Sequence, residues 1–171
     1  MSEDPRIKGE TWVCGVCGET HSDLPHDFGW QLPDELWILP EKERQEKLEW
    51  STDLAYHDGR WFVRGVLFVP INDGGRRWGW GIWAEIDETA MNIAYYNFTE
   101  DASDAPLQPG TIANKIPGFE DSVGQQIIIR FGTADVRPLF FFPEDSQHPL
   151  AVEQREGISI ERYHEILEST Y

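Results

Sequence analysis

Residues 61–71 read Trp-Phe-Val-Arg-Gly-Val-Leu-Phe-Val-Pro-Ile, and a run so dense in branched and aromatic side chains predicts a strand buried on both faces. Asn72-Asp73-Gly74-Gly75 is a turn signal, and residues 77–87 return as the partner strand. In that second strand Trp78, Trp80, Ile82, Ala84 and Ile86 share one face, while Gly79, Gly81, Trp83 and Glu85 share the other. Two glycines at period two leave a smooth strip, which lets another backbone or a flat ligand come close.

The rest of the pattern is mixed. Residues 41–50 predict a short helix opened by Pro40, with Glu43 and Lys47 spaced for an i,i+4 pair. A second helix is expected over 88–98, a short strand within 106–118, and strands over 125–131 and 137–142. Residues 149–156 read as a helix, with Pro149 in its first turn and Gly157 at its end. Ser159 can cap a last helix, in which Ile160, Tyr163, Ile166 and Leu167 form an apolar stripe. His57, beside Asp58-Gly59, reads as a turn residue, and His164 as a surface residue of the last helix. Strands adjacent in sequence and joined by short turns point to an α+β fold. The expectation is one domain over 11–171 with a mostly antiparallel sheet, an N-terminal Cys-x-x-Cys knuckle and two C-terminal helices, after a flexible terminus of residues 1–10.

Charge narrows the partners. Acids outnumber bases 31 to 14, for a formal net charge of −17, which disfavours nucleic acid and anionic membranes because both are bound through clustered Lys and Arg. The same surface suits a basic protein partner, since complementary charge speeds encounter. No apolar run approaches the roughly 20 residues that span a bilayer, and residues 1–10 are too polar for a signal peptide. With only two cysteines, three positions apart, a disulfide framework is not available and a reducing cytoplasm is expected.

Those cysteines carry the clearest chemistry. Cys14-Gly15-Val16-Cys17-Gly18, followed by His21, gives three zinc-type ligands in Cys-x2-Cys-x3-His spacing, and a structural site needs four. His148, His26 or Asp23 could complete the set. With a water in the fourth position, the set would instead be the open site of a zinc-dependent hydrolase, Glu19 or Asp23 taking the proton. Two other readings stand beside it: a reduced structural pair, or a redox pair, which would want a strand before Cys14 and a helix after it.

Several segments resemble the bacterial family called domain of unknown function 2199. They are Cys14-Gly-Val-Cys-Gly-Glu-Thr-His21 with Leu24-Pro25, Phe62-Val-Arg64-Gly65-Val-Leu, Trp78-Gly-Trp80-Gly-Ile-Trp83, and His148-Pro-Leu-Ala-Val-Glu-Gln-Arg-Glu-Gly157-Ile-Ser. The resemblance implies a small soluble bacterial protein and brings no activity. It implies that the Cys pair, His21, Arg64, Arg137-Pro138 and His148 are shared features, which favours His148 as the fourth zinc ligand. Gln147 stands where an acid is more often expected, so no adjacent carboxylate orients His148.

Arg60, Arg64, Arg76 and Arg77 concentrate positive charge on the hairpin. Arg64, with Arg137, is the candidate anion site, because guanidinium forks suit carboxylates and phosphates. The opposing reading is that these arginines neutralise neighbouring acids. Trp80 and Trp83 could line a groove for a planar ligand or could be core. Two functions follow: an acidic zinc-binding adaptor that neutralises a basic protein, or a zinc hydrolase acting on a small anion held by Arg64 or Arg137. No phosphate loop, nucleophile elbow or dinucleotide fingerprint is present.

Overall fold

The computed structural model describes residues 7–8, 11–13, 20–22, 27–72 and 76–170. In chain order the elements are β1 (Ile7–Lys8), β2 (Thr11–Val13), β3 (Thr20–Ser22), β4 (Asp27–Gly29), α1 (Asp34–Trp37), α2 (Glu41–Lys47), β5 (Glu49–Trp50) and β6 (Leu54–His57). Then follow β7 (Arg60–Ile71), β8 (Arg76–Ile86), α3 (Glu88–Asn97), β9 (Gln108–Ile112), β10 (Gln126–Arg130), β11 (Leu139–Phe141), α4 (Pro149–Glu156) and α5 (Ile160–Thr170). The fold is α+β. Apart from Ile7–Lys8, the terminus 1–10 lies outside the described residues, as do the cysteine knuckle and the turn residues 73–75.

The β7–β8 hairpin is the spine, paired antiparallel from Trp61↔Ile86 to Ile71↔Arg76. Both strands outrun their other neighbours, so each serves two of them. Along β7, β6 pairs antiparallel and β11 parallel; along β8, β9 pairs antiparallel and β4 parallel. With β10 antiparallel to both β9 and β11, the pairings β8-β9-β10-β11-β7 close on themselves. The mostly antiparallel sheet is as expected. Its closure and its two parallel pairings are not, because they join segments remote in sequence, where turn signals carry no information.

Glycine makes the close approaches. A β-carbon on Gly65 would run into the Phe140 ring and lie 2.8 Å from the Pro138 carbonyl oxygen, so a bare backbone is what admits β11. The Gly79–Gly81 strip is taken by the chain's own β4, with a Gly81 β-carbon position only 3.2 Å from the Gly29 α-carbon.

The hairpin buries two cores. Its inner face, with Val63, Leu67, Trp78, Trp80 and Ile82, packs with Met91 of α3, Leu150 of α4 and Tyr163 of α5. On the outer face Phe62 and Trp83 pack with Leu32, Leu36, Leu48 and Ala113. The expectation that residues 61–71 are buried on both faces holds for one face; on the other, Arg64, Val66 and Phe68 are half-buried.

Three local expectations are corrected. The helix expected over 41–50 stops at Lys47, because Leu48 turns extended to bury its side chain and the chain continues as β5. Glu43 lies 3.3 Å from His57 Nε2 rather than pairing with Lys47. His164 is 3 % exposed, because α5 packs a broader face than its apolar stripe marks. Pro149 and Gly157 bound α4 as expected, and Ser159 Oγ accepts from the Arg162 N–H at 3.1 Å. Among the described residues no helix is long and apolar enough to cross a membrane.

Candidate functional site

The site begins with a tight turn between β5 and β6. The Ser51 N–H donates to the Leu54 carbonyl at 2.7 Å, and Ser51 Oγ accepts from the Leu54 N–H at 3.2 Å. Asp53, held in this turn, serves two arginines. Its carbonyl accepts from the Arg64 backbone N–H at 2.9 Å, and its carboxylate accepts from Arg137 Nε at 2.8 Å.

The opposite wall is tied down by Asn97, the last residue of α3, which is buried. Its side-chain amide donates to the carbonyls of Glu100, Gly132 and Thr133 at 3.0, 2.8 and 3.2 Å. Its own carbonyl accepts from the Asp135 N–H at 2.9 Å. Asp135 takes a left-handed conformation, φ 58°, which Asp tolerates better than most residues. These bonds fix the loop that presents Arg137. Between the two walls lies a cavity of about 460 Å³, lined by Asp53, Arg64, Asn97, Phe98, Asp135 and Arg137 among others. A second cavity of about 480 Å³ shares Asp53, Leu54 and Phe98 with it and extends to Trp50, Met91 and Tyr95.

The electrostatics single out Arg64. Burial first, then the neighbouring Arg137 charge, push its pKa below the ordinary guanidinium value, with Asp53 and Asp27 partly opposing. Its Nε is buried and has no hydrogen-bond partner among the described residues. No carboxylate of those residues lies within ion-pair distance of its guanidinium. Buried polar atoms normally find partners, so this donor is an exception that asks for a reason.

The other hairpin arginines show what satisfaction looks like. Arg60 donates to both Glu35 and Glu85, whose carboxylates raise its pKa, and it holds the Glu85 carboxyl below the usual range in return. Arg77 lies over the Phe68 ring at 3.6 Å. For Arg60, neutralising acids is therefore the observed role. For Arg64 it is not.

His148 caps α4. Its Nδ1 accepts from the Leu150 N–H at 3.2 Å, its Nε2 lies 2.9 Å from Asp121 Oδ1, and its ring stacks on Phe142 at 5.5 Å. Asp121, not the residue before it in sequence, supplies the orienting carboxylate. The bond from His148 holds the Asp121 carboxyl below the usual range. Both ring nitrogens are thus engaged, and a metal would have to displace one partner. Cys14, Cys17, His26 and Asp23 lie outside the described residues, and the backbone of His21 on β3 pairs with Trp12 on β2. Among the described residues no group of three His, Cys, Asp or Glu is assembled for a metal.

Trp80 and Trp83 are both 0 % exposed and lie in the two cores, Trp83 donating from Nε1 to the Trp30 carbonyl at 2.8 Å. The structure brings Arg64 and Arg137 together and leaves the two tryptophans in the packing. Asp53, Asn97 and Asp135 were missed by sequence reasoning, because isolated polar residues in short loops look alike until the loops meet.

Residues 13–158 match the family described as an uncharacterized protein conserved in bacteria (DUF2199), and the chain belongs to it. No curated protein and no solved structure matches.

Proposed function

We propose that this member of an uncharacterised bacterial family binds a small anionic molecule in the cavity between Arg64 and Arg137. The observation that supports this reading is that Arg64 lines an open cavity while its guanidinium has no ion-pair partner among the described residues. A bound carboxylate or phosphate would give the other N–H groups of this guanidinium charge-assisted hydrogen bonds that no described side chain supplies. Asp53 organises the site by engaging both arginines, while Arg137 adds positive charge next to Arg64.

The test is a titration of the protein with sodium acetate and with inorganic phosphate, following the Arg64 Nε–H resonance. A saturable shift is the expected result. A response that stays linear through the millimolar range for both anions would defeat the reading.

A metal site on Cys14 and Cys17 is a second reading, favoured by one observation. Val13 of β2 pairs with Thr20 of β3, so the segment bearing both cysteines joins two antiparallel strands. That suits a zinc knuckle, with His21 on the returning strand, better than a redox pair that needs a helix after the first thiol. A zinc-dependent hydrolase would further require this metal to adjoin Arg64 and Arg137.

A further inference from the structure

We infer that the anion is a monocarboxylate with an aromatic tail, its carboxylate at Arg64 and its ring in the adjoining cavity against Trp50, Tyr95 and Phe98. This inference rests on the anion-binding reading and specifies its ligand.

Charge count decides between anion types. Arg137 is already paired with Asp53, and Asp135 adds a further negative charge to the same cavity, which leaves Arg64 as the cation without an ion-pair partner among the described residues there. The lining thus sets two cations against two carboxylates, so each negative charge on a ligand is added to a neutral site. A phosphate dianion would face Asp53 and Asp135 with two charges uncompensated, and like charges at close range in a half-buried site are unfavourable. The chain's formal charge of −17 adds to that penalty. A carboxylate monoanion fits the fork of a guanidinium and brings half the uncompensated charge of the dianion.

Continuity and composition supply the tail. The second cavity shares Asp53, Leu54 and Phe98 with the first, so a ligand anchored at Arg64 reaches it without leaving the protein surface. Its walls include large aromatic side chains that folding leaves uncovered: Trp50 is 52 % exposed and Tyr95 61 %. Tyr95 and Phe98 already meet edge to face, with centroids 6.4 Å apart. A ring entering beside them gains both apolar burial and aromatic contact. Each cavity falls within the size range of small-molecule sites, and acetate or phosphate alone would leave the second one empty.

The experiment is calorimetric titration of the whole chain with acetate, phenylbutyrate and phenylbutyramide, repeated on Arg64→Gln and on a Trp50→Ala/Tyr95→Ala double variant. Phenylbutyrate should bind at least about tenfold tighter than acetate, since burying one ring is worth more than 1.4 kcal/mol. The double variant, which changes exposed side chains, should bring phenylbutyrate down to the acetate level, and Arg64→Gln should lose both acids. Equal binding of acetate and phenylbutyrate would overturn the aromatic tail while leaving the anion site standing. Binding of the neutral amide as tightly as the acid would overturn the anion site itself. The amide arm needs no variant, so a misfolded Arg64→Gln does not blunt the test. No binding of either acid overturns both readings.

Discussion

A β-carbon added to Gly29 would lie 2.7 Å from Nη2 of Arg64. The guanidinium therefore rests on the bare backbone of β4, which itself reaches β8 only because Gly81 is bare. Two glycines thus hold an arginine head in place from strands that are fifty residues apart in the chain, roughly the separation that makes such contacts slow to form. Gly29→Ala should push the flexible Arg64 head aside and weaken anion binding several-fold, with a smaller loss of stability because the added carbon also lies 3.2 Å from the Gly81 carbonyl oxygen. Acetate affinity alongside a thermal melt checks this; unchanged affinity would mean that the cradle is irrelevant.

Arg64 and Arg60 should behave in opposite ways when removed. Arg60→Met breaks a network to Glu35 and Glu85 and should destabilise the protein by about 1 kcal/mol, since all three groups are partly exposed. Arg64→Met removes a charged group whose buried Nε has no partner, and stability should be equal or higher. Urea unfolding midpoints decide. A large loss of stability in Arg64→Met would show that the residue serves the fold rather than a ligand.

Gly65→Ala should be among the most damaging single-methyl changes in the chain. The added carbon meets the Phe140 ring, 1 % exposed, and the Pro138 carbonyl, neither free to retreat. A loss of about 1–3 kcal/mol is expected from such overpacking. Because Pro138 adjoins Arg137, the same variant should also weaken anion binding, which a titration on the folded fraction would read.

The Asp121–His148 contact makes a pH-dependent prediction. The folded-state pKa of Asp121 is depressed by the bond from His148. Its contribution to stability is then fully present above the ordinary carboxylate range and disappears as pH falls through the folded value. Asp121→Asn should lower the melting temperature slightly at neutral pH and match wild type in acid. A deficit that persists unchanged into acid would show that the Asp121–His148 hydrogen bond is not its source.

Zinc content tests the N-terminal site. About one zinc per chain, lost in Cys14→Ser, is the expected result for protein purified without a metal column. His148→Ala separates the two ends of the chain. If zinc is retained there, His148 serves α4 as the cap that its Nδ1 bond to Leu150 describes, and the fourth ligand lies elsewhere.

What the sequence determined by itself is local. The run of branched residues in 61–71, Pro149 in the first turn of α4, Gly157 behind it and Ser159 before α5 each act within a few residues, so strands, caps and an α+β fold were legible. Glycines at 79 and 81 even announced that a backbone would come close, and Arg64 and Arg137 stood out as candidates against an acidic background. What only the tertiary structure decided is which distant segments meet. That β4 fills the glycine strip, that β11 joins β7 in parallel, that Arg60 is satisfied and Arg64 is not, and that Asp53 and Asn97 hold the two walls of one cavity all depend on contacts between segments dozens of residues apart. Side-chain type sets what a residue can bond to. The fold sets which of those bonds are left unmade, and the unmade one at Arg64 is where the case for a ligand begins.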